Sequence, residues 1–295
     1  MTDAIPALPC WLNGEMSTLR DAKVSVLDRG FIFGDGVYEV VPAYEGRPFR
    51  FKEHMARLDR SLAELRMRNP MDRAGWAKVV EQLVQAYADH VGKRPEETNQ
   101  LVYLQVTRGV AMRDHVMPAE IEPTVFAMVN RLYIYPAEER ARGVACFTAD
   151  DFRWKKANIK STSLAGAVLA RQISADQGGN ETIMFRDGWL SEAAASNVWV
   201  VKDGVVLGPP KDNLVLEGIR YGVFEEICLQ MGIPFQLRRV AREEVLAADE
   251  ILLSSATKEV LPCTMLDGKP VGNGRPGPIY QKLFEGYQQA KRATS

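Results

Sequence analysis

The stretch "DFRWKKANIKSTSLAGAVLARQ", residues 151–172, sets three lysines against small, hydroxyl and apolar side chains. Lys155 and Lys156 follow Trp154 side by side, as in a solvated turn or a strand edge. Lys160 instead precedes Ser161, Thr162 and Ser163, and then Leu164, Ala165, Ala167, Val168 and Leu169 at helical spacing. The hydroxyls suit a helix N-cap, which would put Lys160 at the mouth of a helix beside buried surface. A desolvated lysine in such a place can present the neutral amine that attacks carbonyls. Taken alone, the pattern more often marks an ordinary surface lysine at a helix start.

A chain of 295 residues lies where single cores stop growing, which favours two domains. Its 46% hydrophobic and 25% charged residues are those of an ordinary globular protein. With 37 basic and 38 acidic residues mixed along the chain, bulk charge recruits neither nucleic acid nor anionic lipid. The start, "MTDAIPALPCWLNG", has no basic region followed by an apolar run, and no stretch approaches the length of a membrane span. A cytoplasmic protein is expected. Cys10, Cys146, Cys228 and Cys263 form no C-x-x-C pair and read as reduced thiols, while His54, His90 and His115 form no metal-binding cluster.

Organisation along the chain predicts an α+β unit first. Asn13-Gly14 and Glu45-Gly46 each sit between β-like runs as hairpin turns. Two amphipathic helices follow, one with Met55, Leu58, Leu62 and Leu65 on a single face, the other with Trp76, Val79, Val80, Leu83, Val84 and Tyr87. "QLVYLQVTRG" and "TVFAMVNRLYI" return to strand, closing a first domain over residues 1–129. Residues 130–143, polar and interrupted by Pro136, read as a linker. Residues 144–295 form the second domain, with a hairpin at Asp203-Gly204, helices in "GVFEEICLQMG" and "REEVLAADE", and a terminal helix in "IYQKLFEGYQQAKRA".

Several motifs offer chemistry together with a plainer reading. "RGFIFGDGVYEV" concentrates Gly30, Gly34 and Gly36 without the spacing of a dinucleotide or phosphate loop, and fits a glycine-rich turn. "VLEGIRYGVFEEI" puts Gly218 at a helix entry, where the amides of Ile219 and Arg220 would form an anion seat; helix starts with glycine are also common. "LSEAAASNVW" sets Glu192 ahead of very small residues, so that a flat ring can approach, or simply a loop. "SSATKEVLP" is hydroxyl-rich and ambiguous by itself. In "TRGVAMRDHVMP", Arg113 and His115 stand two apart, able to converge on a carboxylate or to line a solvated basic loop.

Together and in this order, "RGFIFGDGVYEV", "EHMARLDRSL", "IKSTSLAGAVLARQ", "LSEAAASNVWVVKDG", "GIRYGVFEE" and "SSATKEVLP" resemble the fold-type IV family of pyridoxal-phosphate enzymes. That family comprises D-amino acid and branched-chain aminotransferases, (R)-selective amine transaminases and aminodeoxychorismate lyases. The resemblance covers nearly the whole chain. It implies a two-domain α/β (α+β) fold, with a small N-terminal α+β domain and a larger C-terminal domain whose β-barrel-like core is flanked by helices. It implies pyridoxal 5′-phosphate as cofactor, Lys160 as the Schiff-base lysine, and Lys155 and Lys156 as bystanders. Arg57 would bind the cofactor phosphate with the amides of Ile219 and Arg220 and the Ser255 hydroxyl, and Glu192 would pair with the pyridine nitrogen. Arg220 replaces a usual threonine, to compensate by charge or to point into solvent. Ala256 stands in the phosphate segment where another threonine is common, and Ala193 replaces a glycine after Glu192.

Tyr38, Arg113 and His115 resemble the substrate-carboxylate trap of D-amino acid aminotransferases, in which the arginine and histidine reach in from the neighbouring subunit. A homodimer is therefore implied. The leading expectation is ping-pong transamination between a D-amino acid, such as D-alanine or D-glutamate, and 2-oxoglutarate or pyruvate. The alternatives are a branched-chain L-amino acid or (R)-amine transaminase, an aminodeoxychorismate lyase, and a non-catalytic module that retains the fold.

Overall fold

The computed structural model describes residues 5–293, which divide into two compact units. The first holds the described residues up to Tyr133 together with Ile159–Leu164; the second holds Ile134–Asn158 and Ala165–Ala293. No described helix is long and apolar enough to cross a membrane.

The first unit is an antiparallel sheet backed by helices. Its strands are β1 (Pro9–Leu12), β2 (Glu15–Thr18), β3 (Gly36–Tyr44), β4 (Arg47–Pro48), β5 (Gln100–Thr107) and β6 (Thr124–Arg131), in the order β2-β1-β6-β5-β3-β4. Both expected hairpin turns form, with positive φ at Asn13 and Gly14 and at Glu45 and Gly46. Alternate residues of the central strands, Val102, Leu104 and Val106 among them, turn inward. They meet Met55, Leu58 and Leu62 of α2 (Phe51–Glu64) and Trp76, Val79, Val80 and Leu83 of α3 (Arg73–His90). These are the apolar faces legible in the sequence. A single helical turn, α1 (Arg29–Phe33), precedes β3, capped by Asp28 whose Oδ1 accepts from the Gly30 amide at 2.7 Å.

The second unit has a nine-stranded sheet. Its members are β7 (Val144–Asp150), β8 (Glu181–Arg186), β9 (Trp189–Ala193), β10 (Asn197–Lys202), β11 (Val205–Gly208), β12 (Phe235–Leu237), β13 (Glu250–Ser254), β14 (Leu261–Leu266) and β15 (Lys269–Pro270). The hydrogen-bonded order is β12-β11-β10-β13-β14-β7-β8-β9, with β15 on β14. In a flat sheet, β10 and β9 would lie about 24 Å apart, at roughly 4.8 Å per strand. Yet β9 ends at Ala193 and β10 begins at Asn197, joined by a turn in which Ala193 N–H donates to Ser196 O at 2.8 Å. Four Cα steps reach at most about 14 Å, so the sheet must curl until its far edge returns, the barrel-like core expected for this half. Five helices complete the unit: α4 (Ala137–Arg142), α5 (Ala165–Ala175), α6 (Arg220–Met231), α7 (Arg242–Leu246) and α8 (Pro278–Arg292).

Two segments differ from the sequence reading. Residues 130–143, read as a linker, contain the end of β6 and the whole of α4, with Pro136 capping the helix. The helix after Lys160 begins only at Ala165, and the hydroxyls expected to cap it do other work. Both Thr162 Oγ1 and Ser163 Oγ donate to the Gly34 carbonyl, each at 2.9 Å.

Candidate active site

In the first unit, residues 160–162 add a short strand to the free edge of β3. Tyr38 N–H donates to Lys160 O at 2.9 Å, Thr162 N–H donates to Gly36 O at 2.9 Å, and Ser161 bridges Val37. On the other side, Lys160 N–H donates to Ser61 Oγ of α2 at 3.2 Å. The main chain of this lysine is thus clamped between a strand and a helix, and its Nζ stands 4.0 Å from the centroid of the Tyr38 ring. The glycine-rich motif has its reason here. A Cβ on Gly36 would lie 2.7 Å from Val106 O and 3.2 Å from Thr162 Oγ1, so only glycine lets three chains approach this closely.

Arg57 lies one helical turn before Ser61 on the same face of α2. Its Nε and Nη2 donate to the two oxygens of Glu39 on β3, at 2.7 and 2.9 Å, and His54 Nδ1 lies 2.7 Å from Glu39 Oε2. Burial alone would raise the Glu39 carboxyl, but the Arg57 charge and the hydrogen bonds from Arg57 and His54 outweigh it and hold it well below the usual carboxylate range. Arg113 and His115 lie against the same aromatic ring. The Arg113 guanidinium lies 5.4 Å from the Phe33 ring centroid, and the His115 ring is also 5.4 Å from it.

In the second unit, Glu192 on β9 is 6% exposed and accepts from three directions. Arg153 Nη1 donates to Oε1 at 2.9 Å, while Leu216 N–H and Asn197 Nδ2 donate to Oε2 at 3.2 and 3.3 Å. Desolvation pushes this carboxyl up to about 7, against the opposing pull of Arg153 and the Leu216 amide. A buried acid so poised suits a partner that shares a proton with it. Asn197 also donates to Leu216 O at 2.9 Å, which ties Glu192 to the entry of α6, where Ile219 is the N-cap and Arg220 the first helical residue. The Arg220 side chain does not point into solvent. It is 2% exposed, and its Nε and Nη2 donate to Tyr287 Oη on α8 at 3.2 and 2.9 Å.

Ser255 and Ala256 begin the turn between β13 and β14. Ser255 Oγ accepts from the Lys258 amide at 3.1 Å and lies 3.3 Å from Thr257 Oγ1. This turn is held by three ion pairs, in which Lys258 is the cation of one and Glu259 the anion of two. Lys258 Nζ meets Glu181 Oε2 at 3.0 Å, and Glu259 meets Arg140 at 2.8 Å and Lys291 at 2.7 Å.

Residues 36–266 match the family described as Amino-transferase class IV. The chain belongs to that family. Among curated class IV relatives, a D-alanine aminotransferase of Staphylococcus epidermidis is 36% identical over 280 residues, 95% of this chain and 96% of its own. A D-alanine aminotransferase of Bacillus licheniformis is 35% identical, over 94% of this chain and 95% of its own. Among solved structures, a branched-chain amino acid aminotransferase of Escherichia coli superposes with a TM-score of 0.84 at 25% identity, covering 96% of this chain and 94% of that one. One from T.th., solved with pyridoxamine 5′-phosphate, gives 0.86 at 26% identity, over 99% and 96%.

Within this class IV aminotransferase, the sequence reading missed the groups that surround the expected ones. Arg153 lies in the opening stretch, two residues after Asp151, whose carboxylate it also binds at 2.9 Å. Only that i, i+2 charge pair hinted at it. Glu39 follows the expected Tyr38 directly, and Thr257 supplies a hydroxyl one residue after Ala256. Asn197 and Ser61 carried no signal, because each is defined by a partner far away in sequence.

Proposed function

We propose that this class IV aminotransferase is a pyridoxal 5′-phosphate-dependent D-amino acid aminotransferase, acting on D-alanine or D-glutamate with 2-oxoglutarate or pyruvate as acceptor. The observation that carries the reading is the set of D-alanine aminotransferases 35–36% identical over nearly the full length, read with the meeting of Arg113 and His115 at Phe33. The residues suit the cofactor. Glu192 is buried with its carboxylate fixed by Arg153, Asn197 and the Leu216 amide, as a partner for a ring nitrogen requires, and the α6 entry has the Ile219 and Arg220 amides for a phosphate.

When bound, the cofactor supplies an electron sink for the pair left behind at the substrate Cα. Glu192 would pair with the ring nitrogen, its two oxygens oriented by Arg153 and Asn197. By the family resemblance, Arg57, aligned by Glu39, would bind the phosphate, a role the Ser255 hydroxyl and the Ile219 and Arg220 amides would share. Lys160 would be the amine that anchors the cofactor and, once released, the base placed to take and hold the Cα proton. Tyr38, Arg113 and His115 bind the substrate carboxylate and so decide which enantiomer turns its hydrogen toward Lys160. The working form is a homodimer in which Arg113 and His115 serve the neighbouring subunit. A cytoplasmic setting accords with four cysteines that are all buried and unpaired.

The test is to load the purified protein with pyridoxal 5′-phosphate and record its visible absorption on adding D-alanine, with L-leucine in parallel. Bleaching by D-alanine with release of pyruvate is expected. Bleaching by L-leucine alone would overturn the D-amino acid reading in favour of a branched-chain one. Pyruvate released from aminodeoxychorismate without an acceptor would favour the lyase.

A further inference from the structure

The segment from Arg29 to Asp35 does more than precede β3. Arg29 is 4% exposed, and its side chain divides between two partners. Nε donates to Asp35 Oδ2 at 2.8 Å, and Nη1 donates to the main-chain carbonyl of Asp114 at 2.6 Å. Asp114 lies between Arg113 and His115. Its own carboxylate accepts from the Val116 amide at 3.1 Å, so this residue is pinned by main chain and side chain alike. Asp35 in turn receives Arg108 Nε at 2.7 Å and Nη2 at 3.0 Å, and the Arg29 amide donates to Gly109 O at 2.8 Å. The guanidinium of Arg29 also lies 4.8 Å from the centroid of Phe33, the ring that Arg113 and His115 flank.

We propose that Arg29, held by Asp35, is the positioning residue of the substrate-carboxylate loop, fixing the Asp114 carbonyl and thereby the directions of Arg113 and His115. The inference rests on the reading of those two side chains as carboxylate ligands. A loop that is exposed over residues 112–117 has little packing of its own to orient them. A charge-assisted hydrogen bond from a buried arginine to the peptide between them supplies the orientation. Asp35, shared with Arg108, fixes the Arg29 guanidinium in the direction of the loop. Arg29 touches neither substrate nor cofactor and acts through Asp114.

The test compares the cofactor-loaded wild type with Arg29→Lys, Arg29→Gln and, as a control on the loop, Arg113→Ala. Arg29→Lys keeps the charge beside Asp35 and guards against a glutamine variant that fails to fold. Three quantities are read: kcat and KM for D-alanine, the rate at which hydroxylamine, an amine without a carboxylate, discharges the cofactor, and amide hydrogen exchange along the chain. KM for D-alanine is expected to rise about ten-fold or more with kcat within about three-fold, the signature of lost binding orientation. The hydroxylamine rate stays unchanged, and faster exchange is confined to residues 111–118. An unchanged KM, or a fall in the hydroxylamine rate with faster exchange through β3 and β5, would overturn the proposal by showing that Arg29 only holds the fold. Should Arg113→Ala leave the D-alanine KM unchanged, the carboxylate reading of the loop itself fails, and the inference falls with it.

Discussion

Lys160 and Glu192 show how differently two residues can be placed for related work. The ties that locate Lys160 all belong to its main chain, through Tyr38 and Ser61, while its amine meets only a ring face. Lys160→Ala should therefore fold normally yet lose transamination by at least about 10²–10⁴-fold, the range for a missing proton-transfer group. A thermal melt and a rate assay check this, and a variant that still turns over appreciably would contradict the assignment. Glu192 is located by its side chain, and the proton it holds has a thermodynamic consequence. Its carboxyl is pushed up from 4.5 to about 7 in the folded protein. Stability from this group is full below pH 4.5, where both states are protonated, and is lost as pH rises through 7, because the unfolded chain releases the proton first. The loss amounts to about 3 kcal/mol in the protein without cofactor. Urea unfolding at pH 5 and pH 8 should show that fall in the wild type and its absence in Glu192→Gln; parallel curves would refute the raised carboxyl.

Among the elements, the α6 entry depends on a close approach at Gly218 and the turn after β13 on its ion pairs. A Cβ at Gly218 would stand 2.0 Å from Asn197 Oδ1, and Asn197 is what joins the α6 entry to Glu192. Gly218→Ala should cost about 1–3 kcal/mol as an overpacking change and weaken cofactor binding, read from the dissociation constant for pyridoxal 5′-phosphate. Unchanged affinity would mean that the entry relaxes without moving the phosphate seat. In the turn, Glu259 is 1% exposed, carries a φ of 58°, and neutralises both Arg140 and Lys291. Glu259→Gln leaves the buried Arg140 and the half-buried Lys291 without their counter-charge, at a cost of up to about 3–5 kcal/mol. A lowered urea midpoint is expected, and equal midpoints would show that the pairs are exchanged for solvent at little cost. The sequence displayed the hydroxyls of this turn but not its ionic supports, whose partners lie in α4 and α8.

The homodimer proposed above would have apolar side chains of the first unit to cover. Val26, Phe31, Met112 and Val116 are each 72–77% exposed, and their two segments are joined by the Asp28–Val110 bridge and by Ala111 N–H donating to Leu27 O at 3.2 Å. Exposed apolar side chains grouped in this way suit the proposed subunit contact. Light scattering should give about twice the 32.9 kDa of one chain, and Phe31→Glu with Val116→Glu should reduce it to one while abolishing D-alanine turnover. A wild type that stays monomeric would remove the dimer from the proposal. What the sequence determined by itself was everything set by neighbours along the chain. Asn13-Gly14, Glu45-Gly46 and Asp203-Gly204 specify turns because their own backbones tolerate positive φ, and the apolar stripes of α2 and α3 are written in the helical period. Tertiary structure decided the choice among equivalent partners. Thr162 and Ser163 can donate to any nearby carbonyl, and Gly34 was the one brought within reach; Arg220 found Tyr287, and Arg153 found Glu192. A side chain's hydrogen-bonding capacity is local, but the groups that satisfy it are assigned by which distant segments the core packs together.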